Sequence, residues 1–131
     1  MKISQSGLEL IKRFEGLRLD SYDDGVGVWT IGYGHTSGVQ PGQSITQEQA
    51  DQFLRDDLEW VETCIERHVK TPLSQPQYDA LCSLIYNIGA GAFSLSTLLK
   101  KLNAGDMAGA SEQFARWNRG WVRNSSTGRP I

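Results

Sequence analysis

The first part of the chain has apolar residues spaced for one face of a helix. They recur every three residues, at Leu8, Ile11 and Phe14. Ser6 and Glu9 match a capping box, which predicts that the helix begins there. Gly16 predicts its end. The pattern therefore indicates one amphipathic helix before residue 17.

Glu15 lies at the end of this apolar stripe. At a helical turn of 100° per residue, it points within about 40° of Leu8 and Ile11. Glutamate is rarely buried without a partner. Glu15 is therefore either a candidate for chemistry or a side chain that bonds a backbone group or an arginine.

The next segment, residues 17–35, changes from helical spacing to alternation. Apolar residues alternate with glycines at Val26, Val28, Trp29, Ile31 and Tyr33. Asp24-Gly25 is a turn signal between them. We expect a short antiparallel hairpin or a three-stranded sheet. The Gly32-Tyr33-Gly34 pattern lacks the remainder of a dinucleotide-binding motif, so we do not expect a phosphate loop here.

The rest of the chain returns to helical spacing. A second capping box at Thr46 opens a helix of about 20 residues that ends before Pro72. Ser74 caps a third helix, which is apolar nearly all round and ends at Gly89. We expect this third helix to be central and buried. Two further helices are predicted, near Ser96–Asn103 and from about Asp106 to Trp117.

Composition is typical of a single soluble domain. The chain has 131 residues and a mass of 14.6 kDa, with 39% hydrophobic and 21% charged residues. It contains no apolar stretch of the roughly 18 residues that a membrane span needs. The first 16 residues lack the apolar core of a signal peptide. We therefore expect no stable membrane insertion.

Charge is unevenly distributed along the chain. The formal net charge is −2, yet residues 1–60 carry five Lys or Arg against ten Asp or Glu, whereas four arginines and no acid follow from Arg116 onward. A basic C-terminal end can bind a polyanion, or it can form a solvent-exposed surface without a partner. Because nucleic-acid binders are usually basic overall, we expect no nucleic-acid partner.

The two cysteines, Cys64 and Cys82, are interpreted as reduced, packed thiols. Cys64 and His68 are four residues apart on a predicted helix, which is half of a metal site. No regular spacing relates them to His35 or Cys82. We therefore expect no metal.

Three polar side chains occur in unusual places between residues 15 and 35. Glu15 is on an apolar face, Asp24 is in a turn and Thr30 is in a strand. A sheet that returns beside the end of the first helix would bring them together. Two carboxylic acids in unlike environments suit glycoside hydrolysis, since one can donate a proton while the other stays ionised. The open alternative is that both have purely structural roles.

The same segment resembles the signature of the phage-type lysozymes. The similarity lies in Glu15–Leu19 and in Val28–Thr36. The family's catalytic pattern has eight residues between a glutamate and an aspartate and five more before a threonine. Glu15, Asp24 and Thr30 match this spacing. Residues 72–89 and 96–105 also resemble the family, so that the similarity covers about residues 5–120.

The resemblance implies an α+β, mainly α, lysozyme-like fold of two lobes in a single domain, 1–131. A small antiparallel sheet lobe would comprise about residues 14–45. A helical lobe would comprise about residues 1–13 and 67–131, and a long helix at 46–66 would join the two lobes.

The resemblance also implies an endolysin. Such a muramidase hydrolyses the β-1,4 bond between N-acetylmuramic acid and N-acetylglucosamine in bacterial peptidoglycan, with inversion, and lyses the host cell. Glu15 would be the general acid. Asp24 would stabilise the oxocarbenium charge and, with Thr30, position the attacking water. No cofactor is implied.

Further residues receive roles from the same resemblance. His35 and Asp57 would form a supporting ion pair, and Arg123 would pair with the catalytic glutamate. Substrate-binding roles are expected for Thr36, Tyr86 and Asn87. Packing in the core is the alternative role for Tyr86. The four tryptophans would line a sugar groove or, for most of them, pack in the core: Trp29, Trp60, Trp117 and Trp121.

The C-terminal end departs from the family pattern. Asn124–Ile131 is polar and contains Pro130, so the family's final helix is expected to be absent. We expect a monomer. Dimerisation is the alternative, because loss of the final helix would expose apolar surface.

A peptidoglycan-binding module without turnover is the alternative function. The family also implies synthesis in the host cytoplasm, release through a holin and action on the wall in the periplasm.

Overall fold

A computed structural model describes the backbone of residues 1–123 and the side chains of residues 1–115. In chain order its elements are α1 (Gln5–Glu15), β1 (Arg18–Asp23), β2 (Trp29–Gly32), α2 (Gln47–His68), α3 (Gln75–Ile88), α4 (Ala90–Ser94), α5 (Thr97–Asn103) and α6 (Met107–Arg123). The described part is therefore mainly helical with one small sheet, as the α+β prediction requires.

Helix α1 begins earlier than its capping-box pattern indicates. Its N-cap is Ser4, whose hydroxyl accepts a hydrogen bond from the Gly7 amide at 3.2 Å. The Ser4 amide in turn donates to the Asp79 carboxylate at 2.9 Å. The predicted start at Ser6 is therefore wrong, because a carboxylate on α3 fixes the cap two residues upstream.

Helices α1 and α3 approach closely at Gly7, which is buried. A Cβ built at this position would lie 2.7 Å from the Asp79 Cγ, well inside van der Waals contact. Glycine therefore permits the approach that lets Asp79 reach Ser4.

The sheet is a two-stranded antiparallel hairpin in which Tyr22 pairs with Thr30 and Asp23 with Trp29. An isolated antiparallel bridge also joins Asp20 of β1 to Ser44, which lies outside the two strands. Of the two predicted arrangements, the hairpin is the one that forms.

The two later capping boxes are confirmed. Thr46 exchanges hydrogen bonds with Gln49 at the start of α2, and Ser74 does so with Gln77 at the start of α3. Five consecutive residues of α3, from Leu81 to Ile85, are buried. The prediction that α3 is the central buried helix is therefore confirmed.

Helix α6 extends to Arg123, six residues beyond the predicted end at Trp117. The polar tail 124–131, and with it the expected absence of a final helix, lies outside the described residues. Within residues 1–123, every helix is too short or too polar to cross a bilayer.

Candidate active site

Glu15 ends α1, and Gly16 then turns the chain away with a φ of 72°. The glutamate side chain is half-buried. Its Oε2 accepts a hydrogen bond from the Nδ2 of Asn87, the second-last residue of α3, at 3.2 Å. The ends of two helices that are 72 residues apart in sequence therefore meet at this carboxylate.

Glu15 faces a cavity of about 320 Å³, within the usual range for small-ligand sites. Its walls come from α1, α2, α3 and the segment after β2. The lining residues are Glu15, Gly34, Thr36, Ser37, Asp57, Trp60, Tyr86 and Asn87. Glu15 is thus in one cavity with all three residues that were predicted to bind substrate.

Three lining residues, Gly34, Ser37 and Trp60, were not among the predicted site residues. Trp60 is 40% exposed, so for this tryptophan the core-packing interpretation is wrong. It lies three residues after Asp57 on α2, which places both on one face of the helix. That spacing was the available signal.

Tyr86 contacts the segment after β2 as well as the cavity. Its hydroxyl donates to the carbonyl oxygen of Tyr33 at 2.6 Å. The residue is half-buried and also packs against the hydrophobic core, so the core-packing alternative holds in part. Tyr86 therefore forms part of the cavity wall.

Asp24 lies in the turn that joins the two strands, and it is exposed. Its Oδ1 accepts hydrogen bonds from the amides of Val26 at 3.0 Å and Val28 at 3.3 Å. The neighbouring Asp23 accepts from Gly25 and Gly27. The turn is thus built around two carboxylates that accept backbone hydrogen bonds.

Thr30 is on β2 and only 1% exposed. Its hydroxyl donates to the Val28 carbonyl at 3.3 Å. Because the Asp24 amide also donates to that carbonyl, Asp24 and Thr30 share an acceptor at one end of the hairpin. Neither residue is among those that line the Glu15 cavity.

His35 and Asp57 are in contact, as predicted. The Nδ1 of His35 lies 2.8 Å from the Oδ2 of Asp57, and both side chains are largely buried. The imidazole also stacks on Phe53, with ring centroids 4.3 Å apart. These contacts attach the segment after β2 to α2. The predicted partner Arg123 has its side chain outside the described residues.

A larger cavity, of about 590 Å³, lies elsewhere. Glu59, Glu62 and Glu66 contribute to its walls, together with Lys2 and Tyr78, but none of the predicted catalytic residues does. The cavity that holds Glu15 is therefore not the largest in the described part of the chain. Among the described side chains, no cluster of His, Cys, Asp and Glu is arranged to hold a metal ion.

A sequence model described as phage lysozyme matches residues 12–128 of the chain. The chain belongs to the phage lysozyme family. Similar proteins include an endolysin of Acyrthosiphon pisum secondary endosymbiont phage 1, which is 53% identical over 99% of this chain and 89% of its own length. The endolysin of Salmonella phage P22 is 46% identical over 91% of this chain and 85% of its own length.

Solved structures agree with this assignment. The muramidase domain of SpmX from Asticaccaulis excentricus has a TM-score of 0.84 and 44% identity, and the match covers 88% of this chain and 79% of that one. A P22 lysozyme structure has a TM-score of 0.79 and 46% identity, over 89% and 84% of the two chains. The fold of this phage lysozyme is therefore lysozyme-like, as its sequence predicted.

Proposed function

We propose that this lysozyme is an endolysin that hydrolyses the β-1,4 bond between N-acetylmuramic acid and N-acetylglucosamine in bacterial peptidoglycan and so lyses the host cell. The observation that carries the proposal is the place of Glu15, at the end of α1, in a cavity with polar and aromatic walls. Family membership and the endolysin relatives support it.

In this proposal, Glu15 is the general acid that protonates the glycosidic oxygen. A half-buried carboxyl group beside a cavity suits this role, since it is shielded from bulk water yet open to substrate. The Asn87 amide orients the carboxyl group through Oε2. Bond cleavage then leaves positive charge on the sugar ring.

Asp24 stabilises that positive charge and, together with Thr30, positions the attacking water. Two backbone amides hold Oδ1 of Asp24, so the carboxylate has a defined orientation although it is exposed. The Thr30 hydroxyl donates to a carbonyl, which leaves its oxygen lone pairs to accept a hydrogen bond from the water. Attack by a water held in this way is a single displacement and gives inversion.

Thr36, Tyr86 and Asn87 are proposed to contact the sugar, because all three line the cavity of Glu15. His35 and Asp57 are proposed to support the wall that carries Thr36. The exposed face of Trp60 adds an aromatic platform to the same cavity.

The proposal also covers where the protein is made, how it is released and where it acts. The chain is made in the cytoplasm, is released through a holin and acts as a monomer on the wall in the periplasm. It needs no nucleic acid, cofactor or membrane insertion for this activity. The slightly acidic balance of the chain, a formal net charge of −2, supports a partner other than nucleic acid.

The test is loss of turbidity in a suspension of chloroform-treated Gram-negative cells. Glu15→Gln is expected to lower the rate by at least about 100-fold, because glutamine cannot donate the proton. Asp24→Asn is expected to lower it strongly while the turn is kept, since the asparagine oxygen still accepts the two amides. Glu9→Gln, at an exposed position on the same helix, is the matched control.

Two outcomes would contradict the proposal. If the Glu15→Gln variant still clears the cell suspension, Glu15 is not the general acid. Binding of the wild-type protein to cell walls without any clearing would instead support the wall-binding module.

Cells that express the chain internally are expected to lyse only after chloroform opens their membrane.

A further inference from the structure

Tyr86 and Asn87 are consecutive residues in the last turn of α3, and each contacts a different distant part of the chain. The Tyr86 hydroxyl donates to the Tyr33 carbonyl directly after β2, at 2.6 Å. The Asn87 amide donates to Glu15 at the end of α1, at 3.2 Å. The end of α3 is therefore held at two adjacent points on the wall of one cavity.

The hydrogen bond to Tyr33 is well placed to restrain the end of α3. At 2.6 Å it is at the short end of the range for hydroxyl donors. Its acceptor belongs to a residue that is only 6% exposed and is itself fixed by packing in the core. Just beyond this turn, Gly89 has a φ of 90° and the direction of the chain changes. Without the Tyr86 hydroxyl, the final turn of α3 would lose this hydrogen bond to the segment after β2.

The hydrogen bond to Glu15 depends on where that final turn lies. An asparagine side chain is short, so its amide reaches the carboxylate only when the backbone of residue 87 is correctly placed. Contact with Oε2 also restrains rotation of the carboxyl group about its last bond. Small displacements of a reacting group lower rates more than they lower affinity.

We propose that the Tyr86 hydroxyl is a positioning group for the reaction, which holds the last turn of α3 against the Tyr33 carbonyl and so directs the Asn87 amide to Glu15. This inference rests on the proposed function of Glu15. It assigns the hydroxyl a task distinct from that of the Tyr86 ring, which lines the cavity. A phenylalanine would keep the ring and remove the hydroxyl that makes this hydrogen bond.

The experiment is steady-state hydrolysis of soluble, uncross-linked peptidoglycan strands by Tyr86→Phe. We expect kcat to fall about fivefold, the loss that corresponds to one hydrogen bond of ordinary net strength. KM is expected to change less than twofold, because the aromatic wall is retained. The pH dependence of kcat is also expected to shift, since the surroundings of the Glu15 carboxyl group change.

Tyr78→Phe is the matched control. Tyr78 is on the same helix and 4% exposed, and it lines the larger cavity rather than that of Glu15. Removing this hydroxyl is expected to leave kcat and KM unchanged. Thermal unfolding of both variants separates an effect on positioning from a general loss of stability.

A double-mutant cycle with Asn87→Ala tests whether Tyr86 acts through Asn87. If it does, adding Tyr86→Phe to Asn87→Ala costs little further activity. A fully additive loss, or a Tyr86→Phe variant with wild-type kcat and pH dependence, would overturn the inference. If Glu15→Gln is inactive in the same assay while Tyr86→Phe is unaffected, only this inference fails. If Glu15→Gln is active, the proposed function fails first.

Discussion

At Asp79, burial and hydrogen bonding act in opposite directions on the pKa. Burial of the carboxyl group raises it, but hydrogen bonds from the Ser4 hydroxyl, the Ser4 amide and the Gln75 side chain together lower it below the ordinary value of 3.8. The two bonds from Ser4 also attach the cap of α1 to α3. The charged form of Asp79 therefore stabilises the folded state.

This shift predicts how stability depends on pH. A carboxyl group with a lowered pKa in the folded state contributes fully above its unfolded value, and the contribution is lost as pH falls through the folded value. We therefore expect Asp79→Asn to lower the free energy of unfolding by about 1–3 kcal/mol at pH 7. The difference from wild type should shrink as pH falls below about 5, as chemical denaturation at several pH values would show. The exposed Asp56→Asn is the control, and an unchanged difference at low pH would contradict the assignment.

At the scale of elements, the junction between α3 and α4 depends on one glycine. Gly89 has a φ of 90° and a ψ of 158°, a conformation that is accessible almost only to glycine. Its amide donates to the Ile85 carbonyl and closes α3. The junction therefore determines where the helix ends, two residues after Asn87.

Gly89→Ala is expected to destabilise the protein by about 1–3 kcal/mol, because alanine is strained at this φ and ψ even though its Cβ would meet no neighbouring atom. The nearby Gly91→Ala provides the contrast. Gly91 is exposed in α4 and also has open space at the Cβ, so alanine is expected to be neutral or stabilising there. Thermal unfolding of the two variants checks this. Equal effects at both positions would show that backbone strain is not the cause.

At the scale of the whole molecule, α2 and α3 share a core that contains both thiols. Cys64 and Cys82 are buried and unbridged. Burial, with smaller effects from Glu62 and Asp79, raises the pKa of Cys82 to about 12. Burial also raises the pKa of Cys64, against the charge of Arg67.

The raised pKa of Cys82 predicts a loss of stability in alkali. Its neutral thiol stabilises the fold below the unfolded value of 9.0, and this contribution disappears as pH rises toward the folded value of about 12. Cys82→Ala is expected to reduce the fall in unfolding free energy above pH 9 relative to wild type. Denaturant titrations between pH 7 and about pH 11 measure it. Identical alkaline slopes in the two proteins would contradict the prediction.

Local pattern was sufficient for much of this molecule. Hydrophobic spacing predicted α1, α2 and α3, and the capping residues Thr46 and Ser74 were predicted correctly because a cap bonds amides only two or three residues away. The turn at Asp24 is equally local. The place of Glu15 at the end of an apolar stripe follows from the helical angle alone.

The tertiary structure decided the long-range contacts, which the local sequence pattern does not predict. Ser4 replaced Ser6 as the cap of α1 because Asp79, 75 residues from Ser4, fixes it. The contact of Asn87 with Glu15 spans 72 residues and that of Tyr86 with Tyr33 spans 53. Such hydrogen bonds exist only when packing has brought helix ends and strand ends within about 3 Å of each other. The sequence by itself determined the elements and the candidate acid, and the packing of α1, β2 and α3 decided which groups surround that acid.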